Sequence, residues 1–516
     1  MSPAAVARRS LDPVLVGSGM IAILALALFF RLYHLDTFLH WAFGDEMSYG
    51  LEGQNVIHGR YSSLLTYTWD AAPATYAYLL AMAQQIFGVS LHTGRMVSVV
   101  FGTLTVPLLV ACAREMEISW TGSLLAGGLL AVSHWDAHFS RMVLPAAPSA
   151  FALLLAIYCV MVAYRRERLW TFGVAGMACG SSLYLFHYNR VLPPIFLLWF
   201  VYLAAFQRPW LLRNWRGVIA FVSIFLAVLA PLVRFWLHDI DWFMQPEHHV
   251  GIFYNLSYWA GQHPGQSTAM WNVLWHQIPL ALGMFVVNGG PFPPWGGTYA
   301  PALDPVTGWL FFIAFAFGLS CWRRPLVALL LIWASLIWFL GVVMTIDAPQ
   351  MEHAVGMIPA IFLLIAVLCD TLGCRLVTKT GRPLIYAGLA ALLVVISGAL
   401  NFQAYFGTWE PQLAGANGFT WQFYDAALYM GKHQTPHGTA IYSWGYPDEF
   451  FRFLAPHAGE FPGNPRAFRR ASLYIVIAGA TTTPHAVAQH IQGARLERVH
   501  DIDGDLAFTV VLPPHP

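Results

Sequence analysis

Charge is what this sequence has least of. Only 10% of its 516 residues are Asp, Glu, Lys or Arg, against about 25% in a typical soluble domain. Acids and bases nearly cancel, leaving a net charge of +1. Bulk charge therefore points to no nucleic-acid partner. Cysteine is scarce too. Cys112, Cys159, Cys179, Cys321, Cys369 and Cys374 lie in apolar runs or basic loops, and none follows residue 374. They form neither a disulfide framework nor a zinc spacing. No GxxxxGK or GxGxxG opens a helix after a strand, which argues against a soluble nucleotide fold. Internal repeats, low-complexity tracts and Gly/Ser linkers are missing as well.

What the chain does have is apolar length. It is 58% hydrophobic with a mean hydropathy of +0.56, the composition of an integral membrane protein with many spans. A span needs about 20 mostly apolar residues. Candidate spans are 13–32, 96–114, 119–133, 145–164, 170–188, 191–206, 217–237, 307–321, 325–345, 354–370 and 383–400. The first is too long for a signal-peptide core and lacks a clear small-residue cleavage site, so it reads as a retained span. Trp and Tyr favour the headgroup zone; their rings also suit sugar faces, but interfacial anchoring is the default.

Lys and Arg in the short loops set the direction. With Arg8 and Arg9 inside, alternate loops should be basic. Arg114; Arg165, Arg166 and Arg168; Arg208, Arg213 and Arg216; Arg323 and Arg324; and Arg375, Lys379 and Arg382 fall on those loops. Treating 71–90 as a span would reverse every later loop. That segment, which contains Gln84 and Gln85, is expected instead to be an amphipathic helix on the outer surface. The expected architecture is an all-α polytopic domain, 1–400, with a first outer loop at 33–95. A small α/β outer domain, 401–516, follows, with strands in 471–479 and 506–514 and a helix near 486–494.

This map gathers polar residues on the outer side. Asp45 and Glu46 follow span one, and Arg95 opens span two. His134, Asp136, His138 and Arg141 lie between spans three and four. His187, Asn189 and Arg190 end span five; Asp347, Gln350, Glu352 and His353 precede span ten. Carboxylates beside arginines and histidines suit a phosphate-bearing substrate, since Arg grips phosphate bidentately and a carboxylate can take a proton from a hydroxyl. Plainer readings stand beside this one. Asp45 and Glu46 could cap the next helix. Arg95, Arg141 and Arg190 could each be an interfacial snorkeler. His134 and His138 suit a structural pair, Asp136 a solvated loop acid, and Pro359 a helix kink. No visible ligand set requires a metal; a divalent ion is possible as a cofactor but not indicated.

The order of several blocks resembles the GT-C glycosyltransferases, in particular the dolichyl-phosphate-mannose protein mannosyltransferase-like superfamily with its lipid A aminoarabinose transferases. The blocks are "GDEMSYGLEGQNVIHGRYS", "DAAPATYAYLLAMAQQIFGVSLHTGRMVSVVFGTLTVPLL", "FSRMVLPAAPSAFALLLAIY", "GSSLYLFHYNRVLPPIFLL" and "MEHAVGMIPAIFLLIAV", and the match covers roughly residues 10 to 400. The resemblance implies a sugar passed, with inversion, from a polyprenyl-phosphate carrier to a hydroxyl on a lipid, glycan or protein at the outer face. It implies Asp45 as general base, assisted by Glu46, and a substrate- or phosphate-binding set of Arg95, Arg141, Arg190, His353 and Tyr49. The expected setting is the inner (plasma) membrane, with the N-terminus cytoplasmic, the C-terminal domain extracytoplasmic and membrane lipids around it. The chain departs from the pattern at "SRMVLPAAP", where an acid usually follows the Ser-Arg pair. Ala72–Pro73 replaces a His-Pro-Pro-Leu segment. A Ser/Thr protein acceptor loses weight accordingly. The rival classes are a transporter or flippase, which would place acids inside spans, and a GT-C-like scaffold without catalysis.

Overall fold

The computed structural model of the protein describes residues 12–38, 43–290, 300–346, 348–409, 421–433, 439–442, 448–455, 473–478, 480, 483–500 and 506–514. Arg8, Arg9 and Asp347 lie outside them, as do the middle of the 288–305 loop and parts of the 401–516 tail. In chain order the first helices are α1 (Pro13–Leu32), α2 (Gly44–Ile57), α3 (Thr75–Phe87), α4 (Leu91–Glu115), α5 (Trp120–Val132), α6 (His134–Phe139), α7 (Ala146–Arg166), α8 (Leu169–Ser182) and α9 (Leu192–Phe206). Then come α10 (Trp215–His238), α11 (Ile240–Val250), α12 (Met270–Gly283), α13 (Pro305–Ser320), α14 (Pro325–Trp338), α15 (Ile358–Thr380), α16 (Pro383–Phe402), α17 (Trp421–Lys432) and α18 (Asp448–Leu454).

Among the described residues, eight helical stretches of 19 to 29 residues are long and apolar enough to cross a membrane. They are α1, α4, α7, α9, α10, α14, α15 and α16, four of them extended by 3₁₀ or π turns. The other three expected runs form the shorter helices α5, α8 and α13, of 13, 14 and 16 residues. Burial grades across the bundle. In α15 and α7, 78% and 72% of the apolar window is buried; in α1 and α10 only 17% and 11% is. An all-round apolar helix with little burial faces lipid, and one with much burial is the bundle's centre.

Local chemistry explains the ends. Asp12 accepts the Val14 N–H to cap α1, and Asp304 accepts the Val306 and Thr307 N–H groups to cap α13. Pro359 does not kink span ten: it stands in the first turn of α15, where a proline's missing N–H costs no bond. The segment 71–90 contains α3, 13 residues long and too short to span. It buries Tyr76, Ala77, Leu80, Ala81 and Gln84 while Met82, Ile86 and Phe87 stay exposed.

A four-stranded sheet forms in the tail from β1 (Thr439–Tyr442), β2 (Leu473–Ile477), β3 (Arg495–His500) and β4 (Leu506–Leu512), in the order β1-β2-β4-β3. β1 pairs parallel with β2; the other pairings are antiparallel. β2 and β4 are the two expected strands, and both are apolar and central. β3, "RLERVH", is an exposed edge strand whose charges hide it from a hydrophobic reading. The expected helix near 486–494 shrinks to Pro484–Ala488 followed by turns. α18 packs directly on α2: a Cβ on Gly50 would stand 2.5 Å from the Phe453 ring. Only glycine permits that approach.

Candidate functional site

The two adjacent acids part company at the start of α2. Glu46 is fully buried and saturated. Its Oε1 accepts from Arg95 Nε at 3.0 Å and from the Val143 N–H at 3.0 Å; its Oε2 accepts from Arg95 Nη2 at 3.1 Å and from the Phe43 N–H at 3.2 Å. Arg95 Nη1 also donates to the Leu35 carbonyl at 3.2 Å. This buried pair ties the α2 N-terminus to α4, to the turn just after α1 and to the segment before α7. Asp45, one residue earlier, is only half-buried. Capping and site-forming roles thus fall on different members of the pair.

A second carboxylate, which the sequence reading did not select, stands close to Asp45. Asp70 sits in a tight turn in which the Ala71 N–H reaches the Thr68 carbonyl at 3.1 Å and the Thr68 N–H reaches the Ala72 carbonyl at 2.9 Å. Ala71 closes the turn at φ +61°, a left-handed conformation that an alanine adopts only at a cost. Glu52, on α2, accepts the Trp69 N–H at 3.1 Å and pins the turn. Asp70 accepts from Tyr49 Oη at 2.5 Å and from the Thr68 hydroxyl. The Tyr49 hydroxyl is thereby committed to Asp70. Only the string "TWDAAP", an acid before small residues and a proline, signals this turn in the sequence.

The negative charges concentrate further. Glu352 accepts from the Tyr188 hydroxyl and lies within electrostatic range of both Asp45 and Asp70. Glu449, on α18, reaches the same place: a Cβ on Gly44 would stand 3.3 Å from its Oε1. Burial, then the charges of Asp70, Glu449 and Glu46, push the Asp45 carboxyl up to about 7. Asp70 is also raised, by burial, against the opposing pull of its bonds from Thr68 and Tyr49.

Beyond Tyr188 opens a cavity of about 420 Å³. His187, Tyr188, Asn189, Arg190 and His353 line its polar end, and Leu153, Ile252, Ile337, Leu340 and Met344 are among its apolar walls. Arg190 Nη1 donates to Glu247 Oε1 at 3.1 Å and to the Phe243 carbonyl at 2.8 Å. Its Nε and Nη2 are buried without a hydrogen-bond partner among the described residues, as are His187 Nδ1 and His353 Nδ1. Buried donors of this kind are rare unless a ligand or water satisfies them.

Other residues from the sequence reading lie elsewhere. Arg141 is buried and donates from Nη1 to the carbonyls of Phe30 and Arg31, each at 3.1 Å, at the end of α1. Asp136 is not a solvated loop acid: it is 5% exposed and ion-paired with Arg31. Nor do Arg95 and Arg141 snorkel, being 1% and 0% exposed. His134 bonds the Asn401 side chain and, at 2.9 Å, the Pro301 carbonyl; His138 meets Tyr405 Oη at 3.0 Å. They face separate partners and serve the packing of α6. Among the described residues no group of three or more His, Cys, Asp or Glu has metal-holding geometry.

Comparison with known proteins fits this geometry into a fold. Residues 71–235 match the model of the dolichyl-phosphate-mannose-protein mannosyltransferases. No curated protein matches the chain. ArnT from Cupriavidus metallidurans, solved with undecaprenyl phosphate, superposes with a TM-score of 0.56 at 14% identity, over 96% of this chain and 97% of that one. The apo oligosaccharyltransferase of Archaeoglobus fulgidus gives 0.57 at 14% identity, over 88% of this chain. This chain spans 65% of that relative's length. The archaeal oligosaccharyltransferase AglB from Archaeoglobus fulgidus, solved with an inhibitory peptide and a dolichol-phosphate, gives 0.56 at 13% identity. The fold is the GT-C fold of these membrane glycosyltransferases.

Proposed function

We propose that this protein is an inverting membrane glycosyltransferase that moves a sugar from a polyprenyl-phosphate carrier to an acceptor hydroxyl on the outer face. The observation that carries the reading is the meeting of two unlike features at Tyr188. On one side is a half-buried carboxyl, Asp45, with its pKa near 7. On the other is a cavity with the buried Arg190 guanidinium and the rings of His187 and His353 at one end and apolar walls beyond. A lipid phosphate needs both halves of that cavity.

In this mechanism Asp45 takes the proton of the acceptor hydroxyl as its oxygen bonds to the anomeric carbon. The bond from that carbon to the carrier phosphate breaks, and its electron pair leaves on the phosphate oxygen. Arg190, with His187 and His353 beside it, stabilises that charge; the apolar walls receive the first isoprene units. The leaving group is already good, so a base, positioning and charge stabilisation suffice. Glu46 acts through Arg95 to hold α2 in place, which makes both positioning residues. Arg141 performs the same service for the end of α1, and Tyr49 for Asp70.

The test compares purified wild type with Asp45→Asn on a panel of polyprenyl-phosphate sugars, acceptor lipids and peptides, reading release of polyprenyl phosphate. Loss of at least about a hundredfold in the variant, at equal folded yield, is expected for a general base. Equal release from both proteins would remove Asp45 from the chemistry.

A further inference from the structure

The far end of the bundle carries a second cavity, lined mainly by cations. Its volume is about 860 Å³. Arg165 from the end of α7, Arg323 and Arg324 from the turn before α14, and Arg375 and Lys379 from the last turns of α15 all line it. Two carboxylates share the lining, and both are engaged. Glu117 pairs with Arg165 at 2.6 Å. Asp370 accepts the Ser119 N–H at 3.2 Å and the Ser119 hydroxyl. Arg323, Arg324, Arg375 and Lys379 have no carboxylate within ion-pair distance among the described residues. The first turn of α14, Pro325 to Val327, opens onto the same space and adds the positive end of a 14-residue helix.

This cavity is separate from the one beside Asp45. α4 connects the two levels, with Arg95 bonded to Glu46 near its start and Glu115 at its end. Twenty residues of helix rise about 30 Å, the thickness of a bilayer's hydrocarbon core. The depth of the second cavity is also marked. Trp322, beside Arg323, accepts the Tyr202 hydroxyl on its carbonyl at 3.1 Å and stacks edge-on to Phe206 at 4.7 Å. Such aromatic clusters sit at headgroup level. Ile118, Leu326, Val327 and Val367 give the cavity an apolar floor, and Leu372 beside it is 53% exposed.

We propose that this cavity binds the headgroup of an anionic glycerophospholipid from the leaflet opposite Asp45, with its phosphate among Arg323, Arg324, Arg375 and Lys379. Unpaired cations, a helix N-terminus and an apolar floor at headgroup depth suit a lipid phosphate better than a free anion. A uniformly basic surface would attract the same leaflet without a site, so the test must separate the two.

The full chain in neutral detergent is titrated with phosphatidylglycerol, phosphatidylcholine, glycerol 3-phosphate and inorganic phosphate, reading bound lipid by native mass spectrometry and the thermal midpoint. Two double variants are compared: Arg323→Gln/Arg375→Gln in the cavity, and Arg208→Gln/Arg216→Gln on exposed residues of the same side outside it. Expected is saturable binding of phosphatidylglycerol over phosphatidylcholine. It should weaken roughly twenty-five-fold in the cavity variant, about fivefold per cation, and less than twofold in the outside variant. Equal weakening in both variants would overturn the site in favour of a diffuse surface. No preference over phosphatidylcholine would overturn it outright, and equal affinity for inorganic phosphate would reassign it to a soluble anion.

Discussion

Asp45 shares its surroundings with Asp70, Glu449, Glu46 and Glu352, while Tyr49 and Tyr188 face the same space. A carboxyl raised to about 7 is half ionised at neutrality, so kcat/KM for transfer should rise with pH through an apparent midpoint near 7. Glu449→Gln removes a negative charge that raises Asp45, so the acid limb should move to lower pH; an unmoved limb would show that α18 does not act on the base. The same shift has a stability sign. The folded state binds the Asp45 proton more tightly than the unfolded chain does, so ionising it costs stability as pH rises from about 4 to 7. Asp45→Asn should therefore raise the thermal midpoint at pH 8 and leave it nearly unchanged at pH 4. A midpoint that moves equally at both values would exclude that electrostatic cause.

At the scale of elements, α2 is held from three directions, by α4, α3 and α18. The Glu46–Arg95 pair is the first hold. Removing one partner leaves a buried charge uncompensated and costs about 3–5 kcal/mol, so Arg95→Met alone should collapse folded yield. Glu46→Leu with Arg95→Met should recover yield, as measured by size-exclusion chromatography; failure to recover would show that the other bonds of Glu46 matter more. The glycines are the second hold. Gly53 lies against the Gln84 side chain, whose Nε2 donates to the Gly50 carbonyl at 2.9 Å. Gly50→Val should displace Phe453 and slow transfer without unfolding the bundle, checked by protease protection of residues 448–455. Little of this was legible in the chain. Asp45 stood out because it follows a span. The span map places Glu352 on the same outer side as Asp45, whereas Asp70 and Glu449 are single acids in an unremarkable loop and helix, and only long-range packing brings them to Asp45. The spans were legible because each is a local run of apolar residues, whereas β3 and the burial of Asp136 depend on partners far along the chain.

For the whole molecule, the decisive pattern is where apolar side chains stay exposed. Leu389, Leu392 and Val395 on α16 are 52%, 54% and 65% exposed, whereas its polar Ser397 and Asn401 are buried. In water such a face would invite aggregation; in lipid it is the expected surface. Val395→Lys should thus cost about 2.5–3.5 kcal/mol of insertion free energy, read as loss of membrane-integrated protein. A neutral result would place α16 against water or another protein. The docking of α18 on α2 carries a consequence in time. Gly50 and its partner Phe453 are separated by about 400 residues of synthesis, which at 5–20 residues per second lasts on the order of tens of seconds. Through that interval the newborn helix bearing Asp45 has no Glu449 beside it and no ring over its glycine face. Glu449 and Phe453 reach α2 only after every span between them in the chain has been made.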